Sequence, residues 1–460
     1  MKNNLISVLS VCGLLMLSAC GGGDSSPSTP SRFTVGGMVS GLKGAGLVLQ
    51  NNNSDVLAVT ANGAFTFATP LNAGAIYKVS VKTQPSGSNQ TCTVSNGDGT
   101  ISNANVNNIS VICAILKTPR FAYALRGRAW ATTPGEIIAY NVDPATGAFT
   151  RIGAFNSGIH THHVTADPSG RFLYASESTA PGSGSPQGKI NVYSINQGNG
   201  HLTKVGELIT QHTVLDLQFD PTGRFAYSLG MIGGDNDNVV SVSTFSVNPA
   251  NGSLTSVGLI SEGTDPSGFT IDSNGKYLYV IRSKKKEIVT YNINSTTGAL
   301  INTGNILLTP DAHGIVAEST GRFVFSDALS KIFSYAVDSR GGNLTRLDTL
   351  YETNFFIRAI ALDPSGRFLY TNGGGDTAIT SFVIDSFTGR LTNSGTAGQA
   401  GGSFDPIGLK VDPSGKFVYR YARDDTSGFY GFTINQTTGA LENGRRISDV
   451  NSESMVIVGY

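Results

Sequence analysis

The stretch that decides the fold is Asp363-Pro-Ser-Gly-Arg-Phe-Leu-Tyr370, a tight turn that runs into a short aromatic strand. In a type I turn, Asp at the first position accepts backbone hydrogen bonds, Pro sets φ at the second, and Gly suits the fourth. Apolar side chains on both faces of the following strand indicate a sheet that is covered on both sides. The same pattern starts at five further positions: Asp167, Asp220, Asp272, Glu318 and Asp412.

A second pattern completes each repeat. An alternating strand such as Tyr291-Asn-Ile293 runs into Asx-x-x-x-Gly, which is typical of a short hairpin whose Gly takes the left-handed conformation. This glycine recurs at Gly147, Gly200, Gly252, Gly298, Gly342, Gly389 and Gly439. A repeat of roughly fifty residues, made of strands and turns, predicts an all-β protein with a β-propeller of one repeat per blade.

The ends of the repeat region predict how the ring closes. Seven hairpin glycines stand against six complete turns of the Asp-x-x-Gly type. The region opens on an aromatic strand at residues 119–123 with no inner strand before it, and the chain ends on an inner-strand pattern at residues 455–458. We therefore predict that the C-terminal strand joins the first blade, which completes seven blades and leaves no open sheet edge.

Residues 1–20 are a processing segment and not part of the fold. A lysine precedes an apolar stretch at residues 5–16 that is too short to cross a bilayer, and Leu17-Ser-Ala-Cys20 follows. This resembles a bacterial lipoprotein signal, which implies that Cys20 becomes the lipidated first residue; an ordinary secretory signal is the alternative. Residues 21–32, rich in Gly, Ser and Pro, predict a flexible tether, and Gly after the Cys implies the outer membrane.

Residues 33–115 predict a small β-sandwich. Short apolar strands alternate with turns, and Asn62-Gly63 is a strong hairpin signal because a type I′ turn needs positive φ at both central residues. The run Val35-Gly-Gly-Met-Val-Ser-Gly-Leu42 resembles an immunoglobulin- or transthyretin-like spacer of bacterial envelope lipoproteins. In an exported protein we expect Cys92 and Cys113 to form a disulfide, worth about 3 kcal/mol through loop closure.

Composition excludes several classes of protein. The formal net charge is zero and only 14% of residues are charged, which argues against a nucleic-acid partner because phosphates require a basic surface.

Asp235 and Asp237 could supply oxygen ligands to Ca²⁺, but the Gly and Glu of an EF-hand loop are missing, so we favour an ordinary turn and expect no cofactor. The sequence has no serine-hydrolase elbow, P-loop or His-Glu-x-x-His motif.

The two repeated patterns together, Asp-Pro-Ser-Gly-Arg-Phe-Leu-Tyr and Tyr-x-Ile-Asx-x-x-x-Gly-x-Leu, resemble the lactonase family of seven-bladed propellers. Its named members include a 6-phosphogluconolactonase and cycloisomerases that act on carboxymuconate. The resemblance covers residues 119–460 and implies a ligand site at the mouth of the axial channel, where the inner strands begin. His160-Thr-His162 and Asp311-Ala-His313 are similar to the His-Pro-His and Arg-His pairs of such sequences, although Thr161 replaces the Pro and no Arg precedes His313.

Counting back five and seven residues from the acid of each turn places several polar residues in one ring at that mouth. They are His160, His162, Asp265, Asp311, His313 and Arg358. Transfer of an acyl group to water needs a base of near-neutral pKa and a fixed positive charge for the oxyanion. We predict His162 or His313 as the base, Asp311 or Asp265 as its orienting partner, and Arg358 as the oxyanion donor. The ring could instead solvate the channel, or bind a ligand without catalysis.

Two functions are compatible with these features. The first is a lipid-anchored envelope protein that binds, and in the catalytic case hydrolyses, a small lactone or a related carbohydrate or carboxylate. A sugar phosphate of the cytosol is a poor candidate because the chain carries an export signal. The second is a non-enzymatic scaffold that contacts an envelope protein or a polysaccharide. In both cases we expect a monomer that meets the membrane through its anchor alone.

Overall fold

The computed structural model describes residues 31–87, 90–126, 134–178, 188–232, 239–264, 266–309, 312–353, 356–374, 376–398, 406–422, 428–448 and 452–460. These ranges contain β-strands and no helix. They therefore hold no helix that could cross a membrane.

The first globular unit is built from ten strands. They are β1 Arg32–Phe33, β2 Val35–Ser40, β3 Leu47–Asn51, β4 Asp55–Val59, β5 Gly63–Thr66, β6 Leu71–Asn72, β7 Ile76–Thr83, β8 Gln90–Ser95, β9 Asp98–Thr100 and β10 Val106–Ile115. One four-stranded sheet has the order β5-β2-β10-β8, the other has the order β4-β3-β7-β9, and β1 pairs with β6. Alternate residues of the two larger sheets, such as Val39, Leu49 and Val111, share one apolar core, which makes this unit a sandwich.

The disulfide prediction is confirmed. Cys92 and Cys113 face each other on the neighbouring antiparallel strands β8 and β10 and are bonded. Both are buried in the core of the sandwich. The bond therefore ties the edge strand β8 to the strand that leads into the propeller.

The second unit is built from strands β11 to β38. They are β11 Pro119–Arg126, β12 Gly135–Val142, β13 Phe149–Gly158, β14 Thr161–Ala166, β15 Phe172–Ser178, β16 Gly188–Ile195, β17 Leu202–Thr210, β18 Asp216–Phe219, β19 Phe225–Ile232, β20 Val239–Val247, β21 Leu254–Thr264, β22 Pro266–Ile271, β23 Tyr277–Arg282, β24 Glu287–Ile293, β25 Leu300–Leu308, β26 Ile315–Ala317, β27 Phe323–Ala328, β28 Lys331–Val337, β29 Leu344–Glu352, β30 Phe356–Leu362, β31 Phe368–Gly374, β32 Asp376–Ile384, β33 Leu391–Ala397, β34 Pro406–Val411, β35 Phe417–Ala422, β36 Phe429–Ile434, β37 Leu441–Ser448 and β38 Ser454–Gly459.

These strands form seven antiparallel four-stranded sheets, as predicted for a seven-bladed propeller. Blades 2 to 7 are consecutive groups of four strands that start at β14, β18, β22, β26, β30 and β34. Blade 1 has the order β38-β11-β12-β13, and Tyr123 of β11 lies opposite Val456 of β38. The predicted closure by the C-terminal strand is therefore confirmed.

The repeated sequence patterns hold neighbouring blades together. The ring of Phe172 in blade 2 lies so close to Gly252 in blade 3 that a Cβ on the glycine would sit 2.6 Å from it. The Tyr174 hydroxyl donates to the Gly252 carbonyl at 2.8 Å. Equivalent tyrosine-to-glycine bonds recur between other blades, and Tyr419 of blade 7 donates to Gly147 of blade 1. The aromatic strand and the hairpin glycine of the next blade thus form one inter-blade contact.

The Asp turns have the predicted local chemistry. Asp363 is buried, and its Oδ1 accepts the N–H groups of Arg367 and Phe368 at 2.9 and 2.7 Å. Its Oδ2 accepts the N–H of Ser365, and Gly366 takes a φ of 72°. Each Asp turn joins an inner strand to the second strand of its blade, and each glycine hairpin joins the third strand to the fourth. Both kinds of turn therefore lie at one end of the propeller, which we call the turn end.

Candidate active site

The mouth end, opposite the turn end, is where the seven inner strands begin. The inner strands β14, β18, β22, β26, β30, β34 and β38 form a closed ring in which each contacts its neighbours. Residues that precede or open these strands therefore gather around the axis. His160, His162, His313 and Arg358 lie at this end, whereas Asp265 and Asp311 lie outside the described residues.

In blade 2, His162 is held against its own sheet. Its Nε2 lies 3.0 Å from the hydroxyl of Ser178 on β15. His160, two residues earlier, is buried and takes a φ of 49°. Burial, and then the charge of His160, lowers the pKa of His162 to about 4. His162 is therefore uncharged at neutral pH.

In blades 5 and 6, His313 and Arg358 share an aromatic neighbour. The ring centroids of His313 and Phe356 lie 6.1 Å apart, and the Arg358 guanidinium carbon lies 5.7 Å from the centre of the Phe356 ring. All three side chains are exposed, Phe356 to 44%. A cation beside two open rings can contact an anionic or planar carbonyl group of a ligand.

A second polar cluster, which we call the axial cluster, lies on the inner strands themselves and consists of His163, Asp216, Gln218, Lys410 and Tyr421. His163 Nε2 lies 3.4 Å from Asp216 Oδ1, across the gap between blades 2 and 3. The amide of Gln218 donates to Asp216 Oδ2 at 2.9 Å. The side chains of His163 and Asp216 are 19% and 31% exposed, so the pair is within reach of solvent.

Lys410 and Tyr421 approach the same pair from blade 7. Burial lowers the pKa of Lys410, and the charge of Asp216 opposes this with a smaller effect. Burial raises the pKa of Tyr421, and the Asp216 carboxylate raises it further. The axial cluster therefore brings an imidazole, a carboxylate, an ammonium group and a phenol together from blades 2, 3 and 7.

Burial keeps His163 neutral. It lowers the pKa of the imidazole, Lys410 lowers it further, and Asp216 opposes both. Nδ1 of His163 is buried and, within the described part of the chain, has no hydrogen-bond partner. The lowered pKa leaves this imidazole unprotonated at neutral pH, and Nε2 is the ring nitrogen that faces the Asp216 carboxylate.

A buried carboxyl lies directly behind His313. Asp327 on β27 is 2% exposed, and its Oδ1 accepts the N–H of Gly314 at 2.7 Å. Burial raises the pKa of Asp327 to about 7. This group can therefore carry or release a proton near neutral pH, although it is not itself open to solvent.

Positions five and seven residues before each turn do not include the axial cluster. His163 and Asp216 lie four residues before the acid of their turns, and Lys410 lies two before. Successive side chains of a strand point to opposite faces, so even and odd offsets face different ways. In blade 2 the pairing register of β14 with β15 also shifts between Thr161 and Val164. This shift changes which way the residues before it face. The available signal was a lone charge inside an apolar inner strand, as in Leu215-Asp-Leu-Gln-Phe219 and Gly408-Leu-Lys-Val411.

No group of three or more His, Cys, Asp or Glu side chains in the described ranges could hold a metal ion. Asp235 and Asp237, the weak calcium candidates, lie outside those ranges. The axial cluster itself offers an imidazole, a carboxylate and the amine of Lys410, whose pKa burial lowers. This set suits attack of water on a carbonyl group.

Comparison with known proteins gives the family. The model described as Lactonase, 7-bladed beta-propeller matches residues 123–229, 216–316 and 323–458. The chain belongs to the seven-bladed lactonase family. Its family-matching part is the propeller, while the N-terminal sandwich precedes the matched segments. No curated protein sequence matches the chain significantly.

Solved structures of similar fold cover the propeller almost completely. The Pseudomonas aeruginosa periplasmic gluconolactonase is 18% identical with a TM-score of 0.61, and the match covers 74% of this chain and 99% of that one. A Bacteroides fragilis protein provisionally assigned as a 6-phosphogluconolactonase is 18% identical with a TM-score of 0.62, covering 74% and 98%. At this level of identity the likeness shows the fold alone.

Proposed function

We propose that this protein is a cell-envelope lactonase that hydrolyses a small lactone at the axial cluster. The observation that carries the proposal is the neutral His163 beside Asp216, with the Lys410 ammonium acting on both. Membership of the lactonase family supports the reaction class. The Cys92–Cys113 disulfide supports an oxidising compartment, and the signal-like segment that ends at Cys20 supports a lipid anchor, with the outer membrane as the proposed location.

The chemistry needs one proton to be moved and one negative charge to be stabilised. Water oxygen adds to the lactone carbonyl carbon while its proton passes to the His163–Asp216 pair, whose Nε2 and Oδ1 atoms lie 3.4 Å apart. The negative charge that develops on the carbonyl oxygen faces Lys410. The ring C–O bond then breaks, and the His163–Asp216 pair returns the proton to the leaving alkoxide, which gives a hydroxy acid. Each step uses a group that is already held in place before the substrate binds.

The residues at the mouth would contact the remainder of the substrate. Arg358 and His313 flank Phe356 and can bind carboxylate, hydroxyl or carbonyl oxygens. His160 and His162 lie at the same end of the propeller. We therefore propose a non-phosphorylated sugar-acid lactone as the substrate class, because His313 and Arg358 can bind its oxygens and the chain carries an export signal. The known gluconolactonase of similar fold, itself periplasmic, is consistent with this choice.

The test is a lactone panel that starts with glucono-δ-lactone, with spontaneous hydrolysis subtracted. We expect the wild type to hydrolyse at least one lactone and His163→Gln to lose about 10²-fold or more of kcat/KM, since general-base catalysis contributes that much. His201→Gln is the matched control, because His201 is exposed on the outer side of blade 2 and should leave activity unchanged. No hydrolysis by the wild type, or equal rates in wild type and His163→Gln, would overturn the proposal.

A further inference from the structure

A polar cleft lies between blades 1 and 2, away from the axial cluster. Its volume is about 670 Å³, within the range of small-molecule sites. One wall is the outer strand β13 of blade 1, which contributes Phe155 and Asn156. The other wall is formed by β15, β16 and β17 of blade 2. The lactonase chemistry proposed above uses none of its side chains.

The floor of the cleft is a buried polar network. Glu177 Oε2 lies 2.8 Å from Lys189 Nζ and accepts the Asn191 amide N–H at 2.9 Å. Glu177 and Asn191 are only 8% and 2% exposed. The Asn191 amide also lies 3.3 Å from the carbonyl of Ser157 in blade 1, so both amide hydrogens point to acceptors. A partly buried ion pair with this support holds its geometry without a ligand.

One atom of this network lacks a partner. Asn191 Oδ1 is buried and, among the described residues, accepts no hydrogen bond, although Asn191 lines the cleft. An unpaired buried amide oxygen is unfavourable, so a ligand donor that reaches it from the cleft would be bound favourably. Blade 4 shows that the oxygen is not required by the fold. Its equivalent ion pair is Arg282–Glu287, and Val289 occupies the position that corresponds to Asn191.

The charges of the cleft cancel. Glu177 is paired with Lys189, and Lys204 at the rim lies 2.6 Å from Glu207. An ionic ligand would have to displace one of these partners, whereas a neutral hydroxyl can donate to Asn191 Oδ1 and accept from Lys189 without doing so. The half-buried ring of Phe155 supplies an apolar wall for the C–H face of a sugar ring.

We propose that this cleft is a binding site for a neutral saccharide. The ligand class is a mono- or disaccharide unit, free or at the end of a glycan, that donates a hydroxyl hydrogen to Asn191 Oδ1 and stacks on Phe155. The cleft is separate from the axial cluster, so saccharide binding does not depend on lactone hydrolysis.

The test is calorimetric titration of the full chain, purified in a detergent without sugar headgroups. Maltose, cellobiose and chitobiose serve as neutral probes, and gluconate and glucosamine serve as charged ones. We expect at least one neutral probe to bind, and Asn191→Leu to weaken its binding tenfold or more. Glu287→Gln, which alters the equivalent ion pair of blade 4, is the control and should leave the Kd unchanged.

A second variant guards against a folding defect. Ala154 lines the cleft from an exposed position on β13, so Ala154→Trp fills the cleft without disturbing the core. We expect it to weaken binding at least tenfold while the far-ultraviolet circular dichroism and the unfolding midpoint stay at wild-type values. Absence of binding by all neutral probes, tighter binding of a charged probe, or unchanged binding in Ala154→Trp would each overturn the proposal.

Discussion

The turn end and the mouth end of the propeller follow opposite rules. At the turn end, nearly every blade presents the same Asp turn, the same aromatic ring against a glycine and the same tyrosine hydroxyl. At the mouth end, one equivalent strand position is occupied by a different residue in most blades: Leu125, Ser176, Leu229, Ile281, Asp327, Asn372 and Tyr421. The residues that repeat make the contacts that hold the blades together. The residues that differ between blades include the groups that can take part in catalysis.

The largest expected effect is at the mouth end, in the axial cluster. Asp216→Asn should lower kcat/KM for the lactone by about 10²-fold or more, because the imidazolium loses its stabilising carboxylate. The change also removes the charge that raises the pKa of His163. The acid limb of the pH–rate profile should therefore move to lower pH than in the wild type, whereas Lys410→Met should move it to higher pH.

The measurement is kcat/KM as a function of pH for the three proteins. Shifts of the acid limb in the opposite directions would show that His163 is not the titrating base. The urea-unfolding midpoints of both variants provide the control, since neither Asp216 nor Lys410 takes part in the inter-blade contacts of the turn end.

At the turn end the same kind of residue should affect stability and not activity. Asp363→Ala removes a buried carboxylate that accepts from Ser365, Arg367 and Phe368. With several donors left unsatisfied, we expect a loss of about 3 kcal/mol in the free energy of unfolding. The rate of lactone hydrolysis per folded molecule should not change.

Urea unfolding followed by circular dichroism measures this loss. Asp143→Ala is the control, because Asp143 is an exposed hairpin residue that caps Ala145 and Thr146, and its removal should cost far less. An equal loss of unfolding free energy in the two variants would mean that burial of Asp363 adds nothing to its capping hydrogen bonds. That result would contradict the proposed structural role of the turn end.

The same contrast explains how much of the molecule could be predicted from its sequence. The fold was predictable because each contact of the turn end is local or repeats in every blade. The sequence patterns around Asp363-Pro-Ser-Gly and Gly252 are therefore sufficient to predict the turns that they form. The axial cluster was not, because His163, Asp216 and Lys410 come from blades 2, 3 and 7 and meet only when the ring closes. The face of the sheet on which each side chain lies also depends on the strand register. The register shift between Thr161 and Val164 cannot be inferred from the sequence. The predicted roles of His162, His313 and Arg358 stay predictions.

A smaller effect on stability is expected at Asp327, a buried carboxyl at the mouth end. Burial raises the pKa of Asp327 to about 7, whereas an unfolded Asp titrates near 4. Between these values the folded state binds the extra proton, so stability falls as pH rises from about 4 to about 7. Asp327→Asn should abolish this dependence and raise the free energy of unfolding at pH 8 by on the order of 2 kcal/mol.

Urea titrations of both proteins at pH 5 and pH 8 measure the change. Asn372 occupies the equivalent position of blade 6, which indicates that an amide fits this site, and Asn can still accept the Gly314 N–H. A variant that is less stable than the wild type at pH 8 would contradict the assignment of a strained, buried carboxyl. Asn372→Asp gives the reverse test, and it should introduce a loss of stability above neutral pH.

The smallest effect isolates a single hydrogen bond of the turn end. Tyr174 and Tyr279 occupy the same strand position in blades 2 and 4, and both are buried. The hydroxyl of Tyr174 donates to the Gly252 carbonyl at 2.8 Å, whereas the hydroxyl of Tyr279 has no partner within the described residues. Tyr174→Phe should therefore cost about 1 kcal/mol, and Tyr279→Phe should be neutral or slightly stabilising, because it removes a buried polar atom that makes no bond. Urea-unfolding midpoints compare the two directly, and blade 5, which already carries Phe325 at this position, shows that the ring alone suffices there. Equal losses in the two variants would mean that packing of the ring, and not the inter-blade hydrogen bond, accounts for the recurrence of tyrosine.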